Sequence, residues 1–462
     1  MTANRYSRRH LLTSAATVTA ATALGATVSP AVINARSAAI QSATKLRMMV
    51  WGRPDGVNWD YAAYQRVKPD AAKNLTMEPI VGGQGDGEVA EQFRLMLSAG
   101  GNDVPDIIHF NRIQIPEFAA AGVLTDLTEK TAPFKDDIIE SAYELASFDG
   151  QVIAVPNQLK SKVWFYRTDL FEQAGIDPDA VKTWDDFINA GLTLHEKLPN
   201  SFIYNMRQGL TGYRLQNILT SYAPVSFYDR DAGKFQVTSH PGFRGLFEAA
   251  DKLRNPDLVA PVDDFDPDWA PAFDSGTLAS TLINEWMTSF LPQYVPEQAG
   301  LWQAHAWPAV GDSNQGSDSG GSVYVIPKQA KNPEAAFEFL STVHLTKEGA
   351  LALLEVSGQN TVVKSARDIV PTMPKPVATP TPGSQATQIP WPPDFFGETY
   401  FPVVYAAQER LKWIDFDPRS AQEIALIGDW SQRFTAGQVD VDGVLDGLQN
   451  DLESQIGDPW QV

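Results

Sequence analysis

Residues 163–187 read VWFYRTDLFEQAGIDPDAVKTWDDF. Val163 to Tyr166 is an unbroken apolar and aromatic run, which predicts a strand. Alternation along a strand sends Trp164 and Tyr166 to one face and Phe165 to the other. Thr168 or Asp169 is the expected cap of a helix that Gly175 ends, because glycine accepts the left-handed conformation at a helix C-terminus. Thr183 then caps a further helix, and Asp186 three residues on completes a capping box. Asp185 and Asp186 also complement the positive end of the helix dipole.

Working outward, the same alternation recurs. Leu46 to Trp51 (LRMMVW) and Leu75 to Val81 (LTMEPIV) predict strands, with a helix over Trp59 to Lys73 between them. The turn GGQGDG follows, then a helix over Glu88 to Ala99, and the strand VPDIIHF. A short helix in IPEFAAAGVL stops at Gly122, and Val152 to Val155 follows the Asp149-Gly150 turn as a strand. Strands alternating with helices predict a parallel sheet wrapped by helices. From Thr193 to Phe290 the pattern is mixed and mostly helical, with a strand over Thr277 to Ile283. DSNQGSDSGG (312–321) reads as a polar loop leading into the strand SVYVIP, and a helix is expected over Asn332 to Thr342. Pro371 to Pro393 is proline-rich and predicts no regular element. Three helices are expected after it, over Phe401 to Trp413, Pro418 to Phe434 and Asp440 to Ile456.

Composition narrows the function. The chain has 462 residues, 43% of them hydrophobic, and a formal net charge of -20. Such an acidic balance argues against nucleic-acid binding, which needs a surplus of Lys and Arg. There is no cysteine, which excludes disulfides, thiol catalysis, cysteine-ligated metals and a lipidated cysteine anchor. At the N-terminus, Arg8 and Arg9 precede a mildly apolar stretch from Leu11 to Val32, with small residues at Ser37 and Ala39. This resembles a twin-arginine signal peptide over residues 1–39. The expected mature protein is therefore exported, periplasmic and not lipidated.

Blocks of the chain fall into a known order: VPDIIHF, EFAAAGVLTDLTE, DGQVIAVP, the 163–187 stretch, LINEWMTSF, SGGSVYVIPKQAKNPEAAFEFLSTV and AGQVDVDGVLDGLQNDLESQI. In this the chain resembles the extracellular solute-binding proteins of ABC importers, in the maltose-binding-like family that takes sugars and oligosaccharides. The resemblance covers nearly the whole mature chain. It implies a two-lobe α/β fold with the ligand in a cleft between lobes. The implied division is residues 40–158 plus 328–390 for lobe 1, and 159–327 plus 391–462 for lobe 2. The chain would cross near Pro156 to Lys162, return near Val325 to Lys328, and cross again after Gln359. The implied partners are a small sugar or oligosaccharide and the importer's membrane subunits. The protein is expected to be a monomer without cofactor, metal or catalytic residue.

A sugar offers flat C–H faces to aromatic rings and hydroxyls to polar groups, the generic pattern of a small-molecule site. Trp51 ends the first strand and Asn111, with Arg112 beside it, ends the third; in an open α/β sheet those ends face the ligand crevice. GGQGDG lacks the phosphate-loop lysine and the GxGxxG spacing, so its expected role is a turn presenting Gln84 and Asp86. Trp286 in INEWMTSF lies where the family commonly places an aromatic against the solute, with Glu285 beside it. Gly320 and Gly321 would let a ligand approach backbone. Trp391, Phe396 and Tyr400 are candidates to cover the cleft. Trp164 has two readings, ligand contact or packing of the sheet, and packing is favoured.

Other readings carry less. The same two-lobe binder could instead take a glycerol-phosphate-type polyol, a lipid-linked solute or a peptide, and Arg53, Arg112, Lys160 and Lys162 could serve a phosphate-bearing one. An exported polysaccharide hydrolase or lyase is a further reading, with no carboxylate pair in a recognisable catalytic motif. The six histidines form no metal pair, and no nucleophile-elbow motif exists. Asp264, Asp266 and Asp268 in DDFDPDW imitate a calcium loop but lack its glycine and terminal glutamate; they read as an acidic solvated loop.

Overall fold

In the computed structural model, residues 43–461 are described, except 53, 208–213, 215–216, 220, 222–225, 312–320, 374–388 and 412. The signal-peptide reading, Arg53, Gly320 and most of the proline-rich segment lie outside the described residues.

Two sheets organise the chain. The first is five-stranded. Its parallel half is β1 (Thr44–Val50), flanked by β2 (Leu75–Val81) and β3 (Ile107–Asn111). Beyond β3 come β8 (Ser322–Val325) and β4 (Val155–Gln158), joined antiparallel. The second sheet has β5 (Lys162–Arg167) at its centre, antiparallel to β6 (Ser280–Asn284) and β7 (Trp302–Ala306). Each sheet carries its own core, the first built on Met48, Ile108, Phe110 and Val323, the second on Trp164, Phe165 and Leu282. The molecule is a two-lobe α/β fold.

The 163–187 stretch supplies the centre of the second lobe. All six residues of β5 are buried, as a central strand with both faces covered requires. Trp164 and Tyr166 enter one core cluster, Val163 and Phe165 another. Thr183 and Asp186 form the full capping box of the helix Trp184–Lys197. The helix Thr168–Ala174 differs from expectation, because no side chain caps it. Thr168 Oγ1 donates instead to the Leu301 carbonyl at 3.1 Å, and Asp169 accepts from Arg167. Gly175 closes that helix at φ 69°.

Proline accounts for two further departures. The helix expected over Trp59 to Lys73 is split into Asp55–Val67 and Pro69–Ala72, since the residue before a proline is driven out of the helical region. Pro392 and Pro393, the last residues of the segment expected to be irregular, instead open the short helix Pro392–Phe396 as its first turn. The expected strand Val152–Val155 is divided: Gln151–Val152 forms a hairpin with Ser147–Phe148, and β4 begins at Val155.

The chain leaves the first sheet after Gln158 and enters the second at Lys162. It is back in the first sheet by Ser322, ahead of the expected return near Val325 to Lys328, because β8 hydrogen-bonds to β3 and β4. Leu411 and Trp413 also pack on the first core, although they lie in the segment 391–462 assigned to the second lobe. No helix among the described residues is long and apolar enough to cross a membrane.

Candidate functional site

β1, β2 and β3 run parallel, so their carboxyl ends share one edge of the first sheet. Trp51 follows β1 and is half-buried. Its ring stacks on His109 at 3.8 Å between centroids, and the Lys160 ammonium lies 5.2 Å from its centroid. Burial, then Lys160 and His344, push the His109 pKa well below its ordinary value, so a neutral imidazole backs the tryptophan. Its tautomer follows from the neighbours. Gln359 Nε2 donates to the Asn157 backbone oxygen and to Oδ1, which leaves Asn157 Nδ2 facing His109 Nε2 at 3.1 Å. That nitrogen therefore accepts, and the proton sits on Nδ1.

After β2, Gln84 is exposed and Asp86 accepts from Gln114 Nε2 at 2.9 Å. After β3, the Arg112 guanidinium lies 5.1 Å from the Trp413 ring centroid. Asn111 stands in register with Ser322, and the buried Gly321, at φ 36°, accepts from the Arg112 backbone N–H at 3.0 Å. Among the described residues, Asn111 Oδ1, Gln114 Oε1 and Ser322 Oγ along this edge are buried and have no hydrogen-bond partner. Buried polar groups are nearly always hydrogen-bonded, so unpartnered ones at strand ends mark a place where a polar ligand or water belongs.

The second lobe meets this edge through the crossing segment. Asn284 Nδ2 donates to the Lys160 carbonyl. Lys162 Nζ donates to the Asn217 carbonyl at 2.7 Å and to Ser221 Oγ at 2.8 Å, and lies 5.4 Å from the Trp307 ring centroid. Glu285 is buried; it accepts from Ser161 Oγ and from Gln408 Nε2, at 2.9 Å from the latter to each oxygen. Burial raises its pKa to about 7 against the opposing pull of these hydrogen bonds and of Arg367.

Trp286 is half-buried and stacks on Phe265 at 5.6 Å with 20° between planes. Phe265 is 60% exposed and holds φ 65°, a strained conformation for a bulky residue. The acidic loop explains how it is held. Asp264 binds Arg214 through both oxygens with each side chain 2% exposed, and Asp266 and Asp268 both pair with Arg207. The loop is thus an ion-paired clamp rather than a solvated run. No group of acidic and histidine side chains able to hold a metal occurs among the described residues.

The remaining candidates lie elsewhere. Trp164, Phe396 and Tyr400 are fully buried. Trp164 packs on Tyr166, Phe171, Phe187 and His305. Tyr400 shares a hydrogen bond with Thr288 at 2.6 Å and accepts from Asn360 at 2.7 Å. Trp391 is half-buried against Phe401. Sequence reasoning missed Phe265, Gln114, Ser322 and Trp307; an aromatic inside an acidic loop was the one available signal, for Phe265.

Comparison with known proteins agrees with this architecture. The family model of the bacterial extracellular solute-binding proteins matches residues 60–347. An arabinooligosaccharide-binding protein of Bacillus subtilis is 27% identical over 59% of this chain and 63% of its own length. A lactose-binding protein of Rhizobium radiobacter is 25% identical over 58% and 65%. The matches thus span less than two thirds of either relative. Among solved structures, an ABC transporter associated binding protein from B. animalis subsp. lactis Bl-04, in complex with beta-1,6-galactobiose, superposes with a TM-score of 0.74. It is 21% identical, with 89% of this chain and 97% of that one covered. With more than half of its length matched by the family model, the chain belongs to the bacterial extracellular solute-binding proteins.

Proposed function

We propose that the protein is the receptor of an ABC importer for a sugar or oligosaccharide. The observation that carries this is the pairing of partly exposed rings with unpartnered buried polar atoms. Trp51 is backed by His109, and Trp286 by Phe265; Asn111, Gln114 and Ser322 each keep a free polar atom. The rings would take C–H faces of a sugar, and the polar atoms its hydroxyls. The names of the relatives, which bind arabinooligosaccharides and lactose, support the same class. Gln84, Asp86, Arg112, Gly321 and Trp391 are secondary candidates. Glu285 acts from beneath, holding Ser161 of the crossing segment.

Ligand would stabilise a closed arrangement of the lobes only by binding it more tightly than the open one. The closed face would then dock on the importer's membrane subunits, with the receptor acting as a monomer. Export by the twin-arginine route, cleavage near residue 40 and a soluble periplasmic location complete the reading. Replacing Arg8 and Arg9 by Lys should abolish export.

Thermal unfolding against a sugar panel tests the binding. The panel includes arabino-oligosaccharides, lactose and β-1,6-galactobiose. A true ligand at a hundred times its Kd adds about 2.7 kcal/mol of stability. An unchanged midpoint across the whole panel would sink the proposal.

A further inference from the structure

Trp51 stacks on His109, and His109 is held by a chain of side-chain amides that ends at Gln359. The Gln359 amide nitrogen lies 2.9 Å from the Asn157 backbone oxygen and 2.5 Å from Asn157 Oδ1. A backbone oxygen can only accept, so the Gln359 atom facing it is Nε2. That nitrogen donates, so the Asn157 side-chain atom beside it is Oδ1. Asn157 Nδ2 is thereby turned to His109 Nε2, at 3.1 Å. A ring nitrogen that accepts carries no proton, and an imidazolium has no such nitrogen. Gln359, two side chains away, thus excludes the cationic form of the ring behind Trp51.

Gln359 is itself held from the second lobe. It follows Gly358, whose φ of 70° ends the helix Lys347–Ser357. Ser289 Oγ donates to the Ser357 carbonyl at 2.8 Å, and Asn360 Nδ2 donates to the Tyr400 hydroxyl at 2.7 Å. Ser289 lies on the helix Met287–Tyr294, which starts beside Trp286. The segment 357–360 therefore joins the helix of one candidate ring to the backing of the other. The titratable groups around His109 are Lys160 of the crossing segment, Tyr324 opposite it on β8, and His344, with Asp60 3.3 Å behind His344. Burial, Lys160 and His344 all disfavour the imidazolium, in agreement with the hydrogen bonds.

We propose that Gln359 is a positioning residue for sugar at Trp51: acting through Asn157, it keeps His109 neutral, with the proton on Nδ1. This rests on reading the protein as a sugar receptor. Gln359→Glu reverses the chain. A carboxylate only accepts, so it takes Asn157 Nδ2 and turns Oδ1 toward His109 Nε2, which then gains a proton. The imidazolium draws on the π-density of the Trp51 ring, which weakens the face left for a sugar. Sugar affinity in this variant therefore falls as pH falls. Gln359→Met, uncharged and of similar length, leaves Asn157 free to turn and raises the His109 pKa by less.

Nitrogen NMR of the imidazole rings of the full mature chain, between about pH 5 and 8, tests the chain of amides without ligand. The His109 signals are those that His109→Gln removes. The parent should keep the neutral Nδ1–H form throughout, and His109 of Gln359→Glu should titrate within that range. Should Gln359→Glu not fold, Gln359→Met carries the same comparison. Calorimetric titration with the sugar found by the panel then gives Kd at both ends of the range. Because Glu285 also titrates there, the readout is the ratio of the two Kd values in the variant relative to that in the parent. It should be about threefold or more in Gln359→Glu. The proposal is overturned if His109 of the parent titrates in the range or holds its proton on Nε2, or if both variants give the parent's spectra. It is equally overturned if His109 of the variant titrates while the Kd ratio stays that of the parent. A parent that binds no sugar of the panel defeats the sugar reading and the positioning role with it, whatever the spectra. Failed spectra in a parent that does bind sugar defeat the positioning role alone.

Discussion

Trp51, just past the end of β1, and Trp164, inside β5, both lie against a histidine ring, yet they occupy opposite environments. Trp51 stacks face to face on His109 at 3.8 Å and stays half-buried; Trp164 meets His305 edge-on at 5.5 Å and is wholly buried. The difference is position. Trp51 lies just past the end of a parallel strand, where the chain leaves the sheet. Trp164 sits inside the central strand of an antiparallel sheet, where both faces are covered. A tryptophan at a strand end can be offered to a ligand; one at mid-strand holds the lobe together.

The strongest way to break this contrast is Trp164→Ala. Emptying a fully buried indole site should cost about 3–5 kcal/mol in urea unfolding. A loss below about 1 kcal/mol would contradict the packing described for it.

Glu285 gives the next effect. Its pKa is raised from 4.5 to about 7, so the native state holds its proton more tightly than the unfolded chain. Stability from this group is therefore fully present below about pH 4.5 and is lost as pH rises toward 7, at about 1.4 kcal/mol for each pH unit crossed. Across the whole window the loss is on the order of a few kcal/mol. Glu285→Gln should flatten that slope, as measured by urea unfolding between about pH 4.5 and 8. An identical slope in the variant would show that burial does not control this carboxyl.

Trp51→Ala should reverse the balance seen at Trp164. On the proposed function, sugar affinity falls at least tenfold, about 1.4 kcal/mol, while the fold survives. Calorimetric titration of the sugar identified by the panel measures it. If affinity is unchanged, Trp51 is a packing residue and the contrast collapses.

The smallest effect calibrates the others. Thr183→Ala removes one half of an exposed capping box, which should cost about 1 kcal/mol of stability. Sugar affinity should not move. A change in affinity would mean that stability and binding cannot be separated at the other positions.

Legibility in the sequence followed the range of the interactions. The helix that Thr183 starts was readable because both partners lie within three residues. The two faces of β5 were readable from alternation alone, and the structure divides Trp164 and Tyr166 from Phe165 accordingly. The missing side-chain cap at Thr168 was not readable, since its partner is the Leu301 carbonyl. Nor was the return to the first sheet before Ser322, which depends on β8 finding β3 and β4.

The site divides along the same line. Sequence alone determined which strand ends would carry Trp51, Asn111 and Arg112, because the order of strands and helices sets where each strand stops. It also determined that Glu285 and Trp286 follow a strand. Tertiary structure alone decided that Glu285 would be buried against Ser161 and Gln408, more than a hundred residues away in either direction. It alone decided that Asp264 would find Arg214, fifty residues earlier, and so present Phe265 beside Trp286. Helix caps and alternation are settled by neighbours a few residues apart. Burial, ion pairing and exposed rings are settled by which distant segments the two cores bring together.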